Sequence, residues 1–284
     1  MFLKYGVIMR YLRLVICLTF LVSLGVLGKT LLAVKQQDRV APVILSQEGD
    51  TALHLSVADP GEELLRGLVA TDDRDGDLTE KIMVERSSRF LDEPGESRVS
   101  YVVFDKAGNV GRFDRKVIYD DYIAPRFGLK EPLLYRLGEV IRLTDRITLT
   151  DPLEGDLSHK IKIESYNVPE GEAGTFEIEL SATGTYGQTV RARVPLNVSE
   201  YSSDLPKIRL KEYLVYTPVG ERVDAADFVD QLLDRDGQEL CIEDLRVIEQ
   251  VDVSKPGGGQ IRLELMGKDG LCGISYLTVI VEEV

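Results

Sequence analysis

The sequence predicts an all-β chain of three tandem antiparallel β-sandwiches behind one apolar amino-terminal helix. Three observations carry that prediction. An acidic, glycine-containing stretch, Val69-Ala70-Thr71-Asp72-Asp73-Arg74-Asp75-Gly76-Asp77-Leu78-Thr79, joins two apolar runs, as a turn joins two strands. It recurs as Leu149-Thr150-Asp151-Pro152-Leu153-Glu154-Gly155-Asp156-Leu157-Ser158, and more loosely as Leu232-Leu233-Asp234-Arg235-Asp236-Gly237-Gln238-Glu239-Leu240-Cys241. A spacing of roughly eighty residues exceeds a solenoid repeat and suits a sandwich. Finally, no long helical period follows Val34.

Taking the chain in order, Lys4, Arg10 and Arg13 precede fifteen uncharged residues, 14–28, and Lys29 interrupts before Thr30-Leu31-Leu32-Ala33-Val34. Fifteen residues suit a signal-peptide core, but with Lys29 snorkelling the run covers 14–34 and is long enough to cross a bilayer. No Ala-x-Ala cleavage pattern follows. The expectation is an uncleaved membrane anchor within residues 1–35, with a cleaved signal as the alternative. The basic residues ahead of the run place the amino terminus inside and the bulk of the chain outside the cytoplasm.

Residues 34–39 read as a polar stem. Three domains follow, at 36–123, 124–203 and 204–284. Each opens near a proline, Pro42, Pro125 or Pro206, which fixes an extended entry and cannot donate a ladder hydrogen bond. Residues 120–123 and 200–204 are short linkers, so the array should form a semi-rigid stalk. Within each domain the same marks recur: a Gly-Glu turn (Gly61, Gly138, Gly220), the acidic turn, a strand, a Pro-Gly or Ala-Gly turn (Gly95, Gly174, Gly257) and an alternating strand. Phe176-Glu177-Ile178-Glu179-Leu180 and Ile261-Arg262-Leu263-Glu264-Leu265 alternate with period two, as strands with one wet face do. A Gly-x-x-Gly turn then closes a hairpin at Gly108/Gly111, Gly184/Gly187 and Gly270/Gly273. Residues 224–229 allow one turn of helix. Tyr216 is matched with Tyr135 from its distance to the Gly-Glu turn, which makes it a core residue of the third domain.

The 284 residues carry 34 Lys and Arg against 48 Asp and Glu, a net charge of −14. The first forty hold six basic residues and one acidic one, which leaves 28 against 47, a net −19, for the rest. Such a surface repels phosphate backbones, so nucleic acid is not an expected partner.

The run Ala70-Thr71-Asp72-Asp73-Arg74-Asp75-Gly76-Asp77-Leu78-Thr79, then Pro94-Gly95, then Tyr101-Val102-Val103-Phe104-Asp105-Lys106-Ala107-Gly108-Asn109 resembles the bacterial surface immunoglobulin-like domain family. That family occurs in repeated extracellular arrays. The resemblance covers the first domain best and the third least, and it implies immunoglobulin-like sandwiches acting as spacer or adhesion modules rather than as a catalyst. It also implies that the acidic turn and the last hairpin of one domain lie close together. On that basis Cys241 and Cys272 are expected to form a disulfide, which would place the chain in an oxidising compartment.

Asp73, Asp75 and Asp77 alternate, so with Asp105 from the hairpin their carboxylates are candidate ligands for calcium, a cation that takes six to eight oxygens. The competing reading is that these aspartates accept backbone N–H bonds within a tight turn. No other cofactor is expected. His54 and His159 lie in different repeats without a nucleophile motif beside them, and no GxSxG, HExxH or P-loop occurs. No catalytic residue is assigned. The expected function is a membrane-anchored surface stalk or adhesion module. The alternative is a carbohydrate- or peptide-binding accessory protein of a surface enzyme, its protein or glycan partner unidentified.

Overall fold

The computed structural model describes residues 2–49, 51–201, 205–248 and 251–283, with helix side chains described over 14–31. Residues 202–204 of the expected second linker, and the side chains of Lys4, Arg10, Arg13 and Lys35, lie outside the described residues. The architecture is β-sheet throughout after one long helix, α1 (Phe2–Gln36), apart from a four-residue helix at Leu143–Arg146 and short 3-10 turns. In the apolar stretch Leu14–Leu31 of α1, nothing is buried.

A similar strand order recurs along the chain, the last set being one strand shorter. Strands β1 (Val43–Ser46), β2 (Leu53–Leu55), β3 (Leu68–Asp72), β4 (Gly76–Asp77), β5 (Met83–Ser87), β6 (Glu96–Phe104) and β7 (Val110–Tyr119) make sheets ordered β1-β3-β4 and β2-β7-β6-β5. Strands β8 (Arg126–Leu129), β9 (Leu134–Arg136), β10 (Ile147–Asp151), β11 (Gly155–Asp156), β12 (Lys162–Tyr166), β13 (Gly174–Thr183) and β14 (Thr189–Ser199) make β11-β10-β8 and β12-β13-β14-β9. Strands β15 (Lys207–Leu210), β16 (Leu214–Pro218), β17 (Val229–Leu233), β18 (Leu245–Val247), β19 (Gly257–Met266) and β20 (Cys272–Glu282) make β15-β17 and β16-β20-β19-β18.

Two details differ from the sequence expectation. The sheets are not wholly antiparallel: β9 runs parallel to β14, pairing Tyr135 with Val198, and β16 runs parallel to β20, pairing Thr217 with Val281. Each of these short strands follows its domain's entry and joins the edge beside the last strand, a placement no hairpin rule anticipates. The second hairpin is also shifted. Gly184 donates to Gln188 O and accepts from Gly187, as Asp105 does with Asn109 and Gly108, and Gly267 with Leu271 and Gly270. Gly184 therefore corresponds to Asp105, not to Gly108.

Packing divides the chain into two compact units, residues 1–53, 60–87 and 99–116, and residues 54–59, 88–98 and 117–284. In the first unit Ile44, Leu53, Ala70, Leu78, Val99, Tyr101 and Val103 are buried. The Tyr101 hydroxyl donates to Leu64 O at 2.7 Å, and buried Arg115 donates to Leu64 O and Arg66 O at 2.6 and 2.9 Å. These bonds satisfy polar atoms that would otherwise cost free energy inside an apolar core.

The second unit has two apolar cores. One gathers Phe127, Tyr135, Ile147, Leu149, Ile178, Leu180, Val194 and Leu196; the other gathers Ile208, Leu232, Ile261, Leu263, Leu265, Leu277 and Val279. Each buried Leu or Ile contributes about 1.5–3 kcal/mol relative to exposure. The two cores are joined directly. Asn197 and Gln260 exchange amide hydrogen bonds at 2.7 and 3.2 Å, and Arg126 pairs with Glu282. A Cβ on Gly258 would stand 1.7 Å from the Arg193 carbonyl oxygen, so β19 and β14 meet where only glycine fits.

The Tyr216 assignment changes accordingly. Ladder register matches Tyr135 with Thr217, each paired to the strand residue opposite the first glycine of its hairpin arm. Successive strand side chains point to opposite faces. Buried Thr217 thus takes the inward position, and Tyr216 turns the other way to pack on the core of the second domain. There its hydroxyl oxygen accepts the Phe127 N–H at 2.8 Å.

Candidate functional site

The acidic turns are built by their own first aspartate. Asp72 Oδ1 accepts the N–H groups of Arg74 and Asp75, both at 2.9 Å, and Gly76 takes φ +73° to let the chain reverse. Asp151 Oδ1 does the same for Leu153 and Glu154 at 2.8 and 2.9 Å, and Asp234 Oδ1 for Asp236 and Gln238 at 3.0 and 2.8 Å. An aspartate can close such a turn because its short side chain reaches the backbone two residues on.

The four aspartates singled out in the sequence do not converge. Asp73 is exposed. Asp75 accepts the Lys106 N–H at 2.7 Å and the Lys106 ammonium at 2.9 Å, and that side-chain bond lowers its pKa. Asp77 accepts the Thr79 N–H at 2.9 Å, and its pKa is lowered by the Thr79 side chain and then by that N–H. Asp77 thus bonds within its own turn, whereas Asp75 reaches across to the β6–β7 hairpin.

Asp105 is different. It is 8% exposed and accepts the backbone and side-chain N–H groups of Asn109, both at 2.7 Å. Its burial pushes the pKa up, but the bonds from Asn109, Gly108 and Ala107 prevail and the net shift is downward. A carboxylate oxygen of Asp105 lies within 4.8 Å of one from Asp72 and one from Asp38, the three oxygens mutually within that distance. Neither Asp38, in the stem ahead of β1, nor Asp72, at the end of β3, is among the residues the sequence singles out. The two are linked to their surroundings unequally. Asp38 Oδ1 accepts the Val40 N–H at 3.1 Å, and Arg74 Nε lies 3.5 Å from Asp38 Oδ2. Asp72 Oδ2 is buried with no hydrogen-bond partner among the described residues.

The second domain resolves the same position with neutral donors. Asp151 is 1% exposed, and its Oδ2 accepts the Tyr122 hydroxyl at 2.8 Å and the Gln188 amide at 3.1 Å. Burial and the Asp151 charge hold the Tyr122 phenol far above its ordinary range, so it stays a donor.

The expected Cys241–Cys272 bridge is not formed, and both residues are free thiols. Cys241 is exposed, its backbone N–H bonded to Asp244 as it opens a short 3-10 turn, while Cys272 starts β20 opposite Met266. Each is placed by its own local element. His54 and His159 are exposed, and His54 Nδ1 meets Asp120 at 2.8 Å. Between the second and third domains an open cleft of about 450 Å³ is lined by Ile123, Pro125, Arg126, Arg193, Tyr216 and Glu282. Arg126 covers the Tyr216 ring at 4.6 Å, so that face is already stacked.

No family model matches the chain. The pesticidal crystal protein Cry22Aa of Bacillus thuringiensis is 31% identical over 124 residues, 42% of this chain and 17% of that protein. Among solved structures, the CBM51-2 and INT domains of Clostridium perfringens ZmpB, in complex with GlcNAc, match at TM-score 0.23 and 16% identity, over 53% of this chain and 26% of that one. The protocadherin gammaB4 extracellular domain matches at TM-score 0.21 and 13% identity, over 87% and 49%. The chain therefore spans about a sixth of the curated relative and about a quarter of the ZmpB chain.

Proposed function

We propose that this chain is a membrane-anchored bacterial surface protein whose tandem immunoglobulin-like domains project outside the cytoplasm as a non-catalytic stalk and adhesion module. The observation that supports this most is the apolar stretch Leu14–Leu31 of α1, none of which is buried. Eighteen helical residues span about 27 Å at 1.5 Å each, close to the roughly 30 Å hydrocarbon core of a bilayer. Exposing that stretch to water would be costly, and lipid removes the cost. The domains beyond it carry a strongly acidic surface suited to solvent.

The test is fractionation of cells producing the full chain. The protein should stay with membranes through alkaline carbonate extraction and keep its complete mass. Release of a protein lacking about thirty residues would instead identify a cleaved signal. The second reading, a carbohydrate- or peptide-binding accessory role, has its support in the cleft beside Tyr216 and Glu282. Retention on cell-wall glycans or mucin, lost on Arg126→Ala or Tyr216→Ala, would establish it over the first.

A further inference from the structure

We propose that Asp38, Asp72 and Asp105 bind one calcium ion, and that the ion clamps the stem after α1 onto the first domain. The inference goes beyond the stalk reading and holds whether or not α1 lies in a bilayer.

Three carboxylates meet at this point, and among the described residues the one ion pair they make is with the Arg74 guanidinium, 3.5 Å from Asp38. The charge left over is minus two. The Asp38 side chain is 9% exposed and Asp105 as a residue 8%, so water screens the repulsion poorly. Asp72 Oδ2 is the decisive atom: buried, charged and without a donor among the described residues. Such an atom is expensive to leave alone.

The second domain shows how the fold deals with it elsewhere. There a residue of the preceding linker, Tyr122, and a hairpin residue, Gln188, bring donors to the equivalent Asp151. In the first domain the residue arriving from the preceding stem is Asp38, an acceptor. The hairpin amide, Asn109, is engaged by Asp105 and by Val40 O at 3.1 Å. Acceptors facing acceptors repel one another, and a cation between them removes that repulsion.

The donor set is all carboxylate oxygen, which selects a hard cation. Two oxygens on opposite sides of a calcium ion stand about 4.8 Å apart, given metal–oxygen distances near 2.4 Å. That span accommodates all three oxygens. Water would complete the shell. Because α1 ends at Gln36, a ligand at Asp38 ties the chain to β3 and the β6–β7 hairpin within two residues of the helix.

Calorimetric titration and thermal unfolding of the full-length protein in detergent, after stripping with EGTA, test the proposal. One calcium should bind per chain and raise the melting temperature by roughly 5 °C or more at saturation. Asp72→Asn and Asp38→Asn should each weaken binding at least tenfold, while exposed Asp73→Asn should leave it unchanged. Asp72→Asn keeps the turn-forming oxygen and supplies an amide donor, so in EGTA it should melt above the wild type. Calcium should also slow proteolysis at residues 37–41 in the wild type and not in Asp38→Asn. Absence of binding, or stabilisation on mild acidification in place of calcium, would overturn the proposal by making the centre a shared-proton cluster. Equal loss of binding in Asp73→Asn would overturn the ligand set, and unchanged stem cleavage would overturn the clamp.

Discussion

Asp72 and Asp151 occupy the same place in successive acidic turns, yet among the described residues both oxygens of Asp151 are hydrogen-bonded and only one of Asp72 is. The difference lies in what the preceding segment delivers, a tyrosine hydroxyl in one domain and a carboxylate in the other.

Tyr122→Phe removes the shorter of the two bonds to Asp151 Oδ2 and leaves Gln188 as its remaining side-chain donor. A buried charge losing a donor costs about 1–3 kcal/mol. Urea unfolding should show that loss at an unchanged m-value. Combining the change with Gln188→Ala should cost more than the sum, because the two donors share one oxygen.

Gly258→Ala forces a Cβ into the Arg193 carbonyl, a backbone atom that cannot step aside. The strands must separate and the Asn197–Gln260 pair with them. We expect a loss of about 1–3 kcal/mol, as for overpacking generally. Thermal unfolding of the second unit should divide into two transitions in the variant and remain a single one in the wild type.

The carboxylates of the turns set the acid limit. Asp75, Asp77 and Asp156 have pKa values lowered below 3.8 by hydrogen bonds from Lys106, Thr79 and Ser158. Groups depressed in the folded state stabilise it above their unfolded value and lose that contribution as pH falls through the folded one. The melting temperature should be level above about pH 5 and decline below about pH 4. Lys106→Met should flatten the decline by returning Asp75 towards its ordinary value.

The three cysteines should all titrate with a thiol reagent in denaturant without reduction. In the native protein Cys241 should react at once and Cys272 slowly, since burial raises the Cys272 pKa and lowers its thiolate fraction. Intact mass after alkylation reads both.

Much of this architecture was legible in the chain itself. The alternation in residues 176–180 and 261–265 and the acidic turns identified strands and reversals, because the pleat and the turn are local effects. The parallel pairing of Tyr135 with Val198 was not legible, since it joins residues some sixty apart by an edge that no pattern marks. The Gly184 hairpin was misaligned because Gly-x-x-Gly fits two registers, and only the Gly184–Gln188 bond selects one. For the same reason Tyr216 fell one residue out of step and faced the wrong core. In the acidic centre, Asp105 was found from its place beside the turn. Asp38 lies in a stem with no periodicity, and its one signal was position: it precedes Pro42 much as Tyr122 precedes Pro125.

A stalk of the proposed kind has its domains outside a membrane that α1 crosses. Cys241 is exposed in the third domain, which offers a direct reporter. A Cys17→Ser, Cys272→Ser variant of the full chain should be labelled at Cys241 by a membrane-impermeant maleimide added to intact spheroplasts, to the same extent as after lysis. Labelling that appears only once the cells are broken would contradict it.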